Sequence, residues 1–513
     1  MATDVLLGQA YFLRFDPSLW RAARPYAPLG ALYAAAFIRE RGYSVQLFDA
    51  MLASSVEEWD RALDAHHPRI AVIYEDSFNY LSKMCLSRMR EAALAMTVSA
   101  RRRGATVLVA GSDATDHPEM YLRAGAAAVI VGEGEVTLVH VIDAIERGDS
   151  DWSSIDGVVF TRDAHLVRTS ARPIMRDLDR IPKPAWDLVD VDAYRSMWLR
   201  HHGFFSMNIA TTRGCPYHCN WCAKPIYGQR YTARSPEAVA EEIAWLKSTY
   251  APDHLWVTDD IFGLKPGWID AFASAIAERH AVVPFKCLMR ADGVTESSVQ
   301  ALRRAGCQTV WIGAESGSQR VLDAMEKGTT VTQIDTAARL LHQAGIEVGF
   351  FLQFGYPGET MAEIEETLAM VARCRPDDIG ISVSYPLPGT PFHERVSAQL
   401  GEKQNWVDSA DLAMMYQATY SPDFYRTLHR FVHARFRASN GLPALRRLVT
   451  RPHKARKRDL TLAASAAFNA TASPVLGWRV RQLAKYRVPT PPTPRLIPVL
   501  SPQAASLPSE QRH

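Results

Sequence analysis

The stretch Gly214–Cys222, GCPYHCNWC, decides how the rest of the chain is read. Its three cysteines, Cys215, Cys219 and Cys222, are spaced CxxxCxxC and follow the apolar run FFSMNIATTR. Thiolates are soft ligands, and three of them on one short loop can wrap one face of a cubane iron–sulfur cluster. Three ligands for four irons leave one iron open. The competing reading is structural zinc, with His218 or a distant cysteine as fourth ligand. Structural zinc usually takes paired arms from two separate places. Here Cys85, Cys287, Cys307 and Cys374 stand singly. The spacing therefore predicts a [4Fe–4S] cluster.

With the aromatic Trp221 just before the third cysteine, the loop resembles that of the radical SAM superfamily. The resemblance implies that the open iron chelates the amino and carboxylate groups of S-adenosylmethionine (SAM). It implies reductive cleavage of the sulfonium to a 5′-deoxyadenosyl radical, and an electron donor such as flavodoxin or ferredoxin.

Around this loop, residues 201–395 alternate strand and helix. The strand runs are FFSMNIATTR, HLWVTDD, PFKCLMR, TVWIGAES, EVGFFLQFG and DIGISVSYPL. Ser235-Pro236 is a good N-cap and first-turn pair, and Gly306 and Gly345 stand where helices end. Six βα units suit the partial (β/α)6 barrel of the radical SAM family, with functional groups at the strands' carboxyl ends. Asp259 and Asp260 close the second strand, where the family places contacts to the SAM amino group. Arg290 closes the third. Glu315 closes the fourth, where a family carboxylate meets the ribose, and Gln353 and Gly355 follow the fifth, near the adenine. For any one carboxylate the alternative is a helix cap or a buried salt bridge. Tyr356 and Tyr385 are the candidate catalytic groups, as proton or radical partners, against plain packing.

Residues 1–150 also alternate, with strands in VLLGQAYFL, VQLFDA, RIAVIYED, TVLVAGSD and AAAVIVGEG and one long helix over Tyr80–Arg103. This pattern predicts a doubly wound, Rossmann-like parallel sheet with ligands beyond its carboxyl ends. No GxGxxG follows the first strand. Tyr74-Glu75-Asp76, Gly111-Ser112-Asp113 and Gly132-Glu133 stand at strand ends. In front of the cysteine motif they resemble the cobalamin-binding domain of B12-dependent radical SAM enzymes, which implies cobalamin contacts at these positions. That family commonly reads GGPHAT where this chain has AGSDAT, so Asp113 replaces a histidine. The DxHxxG signature of a histidine lower ligand is also absent; Asp64-Ala65-His66 lacks the glycine. Cobalamin is therefore expected without a histidine on its lower face, and a degenerate domain kept for packing is the alternative.

Residues 151–200 read as a connector containing the hairpin GVVFTRDAHLVRT, and residues 396–440 as a helical segment like that of the anaerobic Mg-protoporphyrin ester cyclase branch. Residues 441–513 form a basic and then Pro-rich tail. Between Gly441 and Leu500 twelve Lys/Arg face the single Asp459, which leaves the rest of a +3 chain at −8. That balance argues against nucleic acid as a partner of the main body. The tail is either a solvated basic face or a peripheral membrane contact. Seven cysteines, three of them clustered, point to a reducing compartment, and no secretory signal is read at the start, so the cytoplasm is expected.

The expected fold is thus α/β: a Rossmann-like cobalamin-type domain, a partial (β/α)6 radical SAM barrel and a helical basic extension. The resemblance implies three cofactors: a [4Fe–4S] cluster, SAM and cobalamin. It implies methylation of an unactivated carbon, or of phosphorus, in a small-molecule substrate. Cobalamin-assisted cyclisation, oxidation or rearrangement is the alternative, separated by the formation of S-adenosylhomocysteine.

Overall fold

The computed structural model describes residues 3–488 except 85, 225, 443–447, 449 and 451–456. Cys85, most of RPHKARKR and the Pro-rich end lie outside the described residues.

Two parallel sheets carry the chain. The first contains β1 (Val5–Gly8), β2 (Val45–Phe48), β3 (Ile70–Tyr74), β4 (Thr106–Ala110) and β5 (Ala128–Ile130), joined by β6 (Val158–Arg162) and β7 (His165–Arg168) in the order β2-β1-β3-β4-β5-β6-β7. β1 to β5 pair in parallel, and β6 and β7 add antiparallel. The hairpin GVVFTRDAHLVRT thus forms as read but extends the first sheet instead of bridging to the barrel. Val158 and Phe160 are buried against β5, which is why the hairpin stays there. β1 and β3 are neighbours, so their carboxyl ends form the switch point of a doubly wound sheet.

A small antiparallel pair, β9 (Thr212–Arg213) and β10 (Thr232–Ala233), brackets the cysteine loop. The second sheet runs β8 (Ser206–Ile209), β11 (His254–Val257), β12 (Phe285–Met289), β13 (Cys307–Glu315), β14 (Glu347–Phe354) and β15 (Asp378–Val383) in sequential order, all parallel. That is the six-unit partial barrel. Its helices begin where the sequence places caps: Ser235, Thr295 and Thr330 accept from the third amide of their helices. Cys287 and Cys307, single in sequence, are buried neighbours on β12 and β13.

One segment differs from the expectation, and the expected helical basic extension takes a definite place. The helix expected over Tyr80–Arg103 is broken into Tyr80–Lys83 and Ser87–Arg102. The break lets the backbone reach the barrel: Ser87 N donates to Trp406 O at 2.8 Å, and Tyr385 Oη to Met84 O at 3.4 Å. The tail contains a 27-residue helix, Lys457–Leu483, packed along the helix Pro422–Asn440. Small residues allow it: Ala463, Ala466 and Val480 are buried, and a Cβ on Gly477 would lie 2.9 Å from the Phe431 ring. One apolar cluster runs from β1 and β4 through the barrel core to Val480, so the parts share a continuous interior.

Candidate functional site

The cysteine loop is fixed from behind by Asn220, which is fully buried. Its backbone N donates to Met325 O at 3.1 Å, and its carbonyl accepts from Phe392 N at 2.9 Å. Its Nδ2 donates to Ala324 O at 2.8 Å, and its Oδ1 accepts from Tyr356 Oη at 2.9 Å. Gly214 opens the loop at φ +77, where a Cβ would lie 2.2 Å from Arg230 O, so no side chain fits. The Arg290 guanidinium lies 3.5 Å over the Tyr217 ring, and Lys224 Nζ donates to Tyr217 O at 2.8 Å. The three thiols take no part in this bracing network: Cys219 is buried, Cys215 and Cys222 are half-buried, and none is in a disulfide. Three soft donors spread along a braced loop fit a cluster that takes one thiolate per iron.

Around the loop, the barrel rim holds polar groups at the expected strand ends, several of them already engaged. Glu315 ends β13 at φ +57, a left-handed backbone unusual for a residue with a Cβ. Its Oε1 accepts from Lys327 Nζ at 2.8 Å, and both side chains are buried. Gly313 leaves room for the pair, since a Cβ there would lie 2.7 Å from Lys327 Nζ. Gln353 Nε2 donates to Ser384 Oγ at 2.9 Å, and Gly355, at φ +84, donates its N–H to Glu359 Oε2 at 2.6 Å. Burial raises the Glu359 carboxyl to about 8.

Four rim residues turn out otherwise than the sequence suggested. Asp259 is buried and accepts from the backbone amides of Thr211 and Thr212 at 2.7 and 3.0 Å and from the Thr211 hydroxyl, so its carboxylate ties β11 to β9. Arg290 is held by Asp292 and by the carbonyls of Lys327 and Gly328, which makes it a brace of the loop. Tyr356 is committed to Asn220 and to Ala324 O. Tyr385 is buried against Trp406 at a 4.7 Å ring separation, with its hydroxyl between Met84 O and Gln404 O. Neither tyrosine is open to a substrate. Trp221 lies beside the rim, its indole Nε1 buried without a protein partner and Lys327 Nζ 6.0 Å from its ring.

The first domain brings its own carboxyl-end loops to this rim. Lys83 pairs with Asp260 at 2.5 Å across the two domains. Arg213, immediately before the cysteine loop, is buried between Glu133 at 2.5 Å and Glu135 at 2.7 Å. Gly132 adopts φ +76 facing Ile226 O. Tyr80, 56% exposed, stands within electrostatic reach of Cys222, Glu315 and Tyr385. Sequence reasoning missed Lys83, Tyr80, Arg213, Asn220 and Lys327. Asn220 and Arg213 could have been found as flanks of the motif; the other three meet the site only through long-range packing.

Within the first domain, three expected cofactor contacts have other tasks. Asp113 is buried in a two-pronged pair with Arg90 at 2.8 and 2.5 Å and accepts from Tyr121 Oη at 2.6 Å. Glu133 belongs to the Arg213 bridge and also accepts from Met175 N at 2.5 Å. Tyr74 packs under Gly134 in the apolar core. Glu75 and Asp76 do sit at the switch point. Glu75 Oε1 accepts from Ala10 N at 2.9 Å, which joins the ends of β1 and β3, and Asp76 Oδ1 accepts from Gly30 N at 3.0 Å. Burial raises Glu75 to about 8, helped by Asp113 and Asp76 nearby, and raises Asp76 to about 6. Gly111, at φ +147, lets β4 turn beside Glu75, where a Cβ would lie 2.5 Å from the Glu75 Cβ, and Ser112 is buried at the start of the helix Ser112–Asp116.

Among the described residues, four polar atoms just past the ends of β1, β3 and β4 are buried without a protein partner: Gln9 Nε2 and Glu75 Oε2 on loops, and Ser82 Oγ and Thr115 Oγ1 on the short helices Tyr80–Lys83 and Ser112–Asp116. Buried polar groups are ordinarily paired, so a cluster of unpaired donors and acceptors at one sheet edge fits a large polar ligand such as cobalamin.

Comparison with known proteins places both halves. Residues 209–371 match the radical SAM superfamily and residues 21–142 match the B12 binding domain. An uncharacterized methyltransferase of Pyrococcus horikoshii is 26% identical over 392 residues, 74% of this chain and 80% of that protein. The anaerobic magnesium-protoporphyrin IX monomethyl ester cyclase of Synechocystis is 29% identical over 220 residues, 42% of this chain and 43% of the cyclase. The radical SAM methyltransferase TsrM of Kitasatospora setae, solved with cobalamin and a [4Fe–4S] cluster, has the same fold: TM-score 0.64 at 19% identity, covering 78% of this chain and 75% of that one. The chain is therefore an enzyme of the radical SAM superfamily, in the branch whose members carry a B12-binding domain ahead of the barrel.

Proposed function

We propose that this enzyme uses a [4Fe–4S] cluster, SAM and cobalamin to methylate an unactivated carbon, or phosphorus, of a small-molecule substrate. The observation that supports it is the apposition of the two sheets' carboxyl ends, fastened by Lys83–Asp260 and by Arg213 between Glu133 and Glu135. Groups that must exchange an atom need to approach within about 3–3.5 Å, which only facing sites permit. When bound, the cluster with SAM supplies a hydrogen-abstracting radical, and cobalamin supplies a transferable methyl group.

The residues of the chain position and enclose. Cys215, Cys219 and Cys222 hold the cluster on the loop braced by Asn220. Glu315, oriented by Lys327, accepts from the ribose hydroxyls, while Asp260, Gln353 and Gly355 line the remaining SAM contacts, with Trp221 beside them. Glu75, Asp76, Gly111, Ser112 and Gly132 form the cobalamin edge. Tyr80 takes over from Tyr356 and Tyr385 as the substrate-side proton or radical partner, because its side chain stands open between the two edges. A flavodoxin or ferredoxin supplies electrons. The basic C-terminal segment makes a peripheral membrane contact.

A second reading, radical cyclisation or oxidation without methyl transfer, is kept because of the similarity to the ester cyclase. Anaerobically reconstituted enzyme, given SAM, cobalamin and a low-potential reductant, separates them. Methyl transfer yields S-adenosylhomocysteine together with 5′-deoxyadenosine. Deoxyadenosine alone favours the second reading, and no SAM cleavage at all defeats both.

A further inference from the structure

The helix Lys457–Leu483 has its residue sizes reversed for a surface helix. Its inward face, against the helix Pro422–Asn440, is made of small or short side chains: Ala463, Ala466, Asn469, Gly477 and Val480. Its outward face carries the large apolar ones. Leu460 is 59% exposed, Phe468 72%, Val475 66% and Trp478 59%. At about 100° per residue these four fall within an arc of about 80°, opposite the docked face. The outer arc of a surface helix is ordinarily polar. Here no charged residue occurs from Leu460 to Trp478.

Charge is confined to the two ends. Lys457 and Arg458 open the helix, Arg479 and Arg481 stand in its last turn and a half, and Lys485 and Arg487 follow just beyond it, with Tyr486 77% exposed between them. Asp459 is the one acid in this segment. An apolar stripe that ends in Trp and Tyr and is bracketed by cations matches the boundary of a bilayer: apolar side chains below the headgroups, aromatic rings at their level, cations against phosphates. No described helix is long and apolar enough to cross a membrane, and Pro474 interrupts this one's hydrogen bonding, so the orientation it suits is in the plane. A second copy of the chain is a poorer occupant. A two-fold contact is self-complementary and would set basic ends against basic ends or leave them idle.

We infer that the face formed by Leu460, Phe468, Val475 and Trp478 lies in the interface of an anionic lipid surface and holds the barrel there. This deepens the membrane contact of the proposed function and rests on that part alone; its failure leaves the SAM chemistry untouched.

The test is co-sedimentation of the full-length, cluster-loaded protein with vesicles of phosphatidylglycerol and phosphatidylcholine, against pure phosphatidylcholine. The wild type is expected on the anionic vesicles, less so at high salt, and F468E/W478E is expected to bind them at least about tenfold more weakly. Cluster absorbance and melting temperature report whether the variant is folded, and the milder L460Q/V475Q gives an independent loss. Equal binding of wild type and both variants overturns the inference. So does a wild type that ignores anionic vesicles, or one that prefers neutral ones. Self-association of the wild type that the variants abolish, without vesicle binding, assigns the face to a second copy instead.

Discussion

The cysteine loop and the carboxyl edge of the first sheet perform comparable tasks and are built in opposite ways. In the loop, protein groups satisfy one another on the inner side: Asn220 uses its backbone N–H and C=O and both ends of its side-chain amide. The three thiols proposed as ligands are left out of that network. At the sheet edge, the most chemically distinctive side chains, Asp113 and Glu133, are spent on Arg90 and Arg213. What is left for a ligand is a set of ordinary polar atoms on Gln9, Glu75, Ser82 and Thr115. A cluster needs a few strong bonds in fixed places, so its site is compressed into a motif. A large polar cofactor is held by many weak contacts, and the unpaired atoms are accordingly spread over loops and short helices that share only their position at the sheet edge.

The largest effect expected from this difference is all-or-none. Cys215→Ala, Cys219→Ala and Cys222→Ala should each abolish the cluster's visible absorbance and SAM cleavage, while Cys287→Ala, Cys307→Ala and Cys374→Ala should keep both. Loss of the cluster in Cys287→Ala with retention in Cys219→Ala would invert the assignment.

The next effect tests the bridge between the two regions. Arg213 and its two glutamates are buried, with side chains 4%, 6% and 2% exposed. Removing one partner of a buried pair strands the other charges, at a cost of about 3–5 kcal/mol, whereas replacing all partners together is often close to neutral. Arg213→Met should therefore destabilise the protein by that order in urea unfolding, and the triple change with Glu133→Gln and Glu135→Gln should recover most of it. If the single variant unfolds like the wild type, the bridge does not hold the domains together.

The same contrast governs what the sequence could reveal. Both sheets, the six βα units and the helix caps were readable because periodicity and capping are local signals, and the cysteines were readable because their spacing is. Strand ends pointed to polar side chains at the sheets' carboxyl edges: Glu75, Asp260, Glu315 and Gln353 stand at or just past the ends of β3, β11, β13 and β14. What each carboxylate does there was not readable, because the answer depends on partners far along the chain: Thr211 for Asp259, Lys327 for Glu315, Arg90 for Asp113. That the basic extension is helical was readable; that Lys457–Leu483 docks on Pro422–Asn440 through its alanine and glycine face was not, because small residues on a helix face carry no packing signal of their own. For Tyr356 and Tyr385 the sequence left a proton or radical role standing against plain packing, and only the fold shows Asn220 and Trp406 covering them.

The smallest effect concerns Glu75, the one carboxyl at the sheet edge with an unpaired buried oxygen. Burial raises its pKa to about 8, with the neighbouring Asp113 and Asp76 adding in the same direction. In the unfolded chain a glutamate titrates near 4.3, so above that pH the folded state binds the extra proton. The stabilising contribution of the neutral carboxyl is accordingly full below about pH 4.3, shrinks as pH rises, and is gone once pH passes about 8. Glu75→Gln keeps the shape and the acceptor for Ala10 N–H but cannot ionise. Ligand-free Glu75→Gln should therefore match the wild type near pH 5 and become progressively more stable than it towards pH 8.5, with the melting temperatures diverging in that window. Glu359 titrates in both proteins and cancels in the difference, while the repulsion between Asp76 and an ionised Glu75 is absent from the variant and acts in the same direction. A constant offset between the two proteins from pH 5 to pH 8.5 would mean that Glu75 is already ionised in the fold, and the sheet edge would then present cobalamin with a fixed negative charge instead of a neutral hydrogen-bonding group.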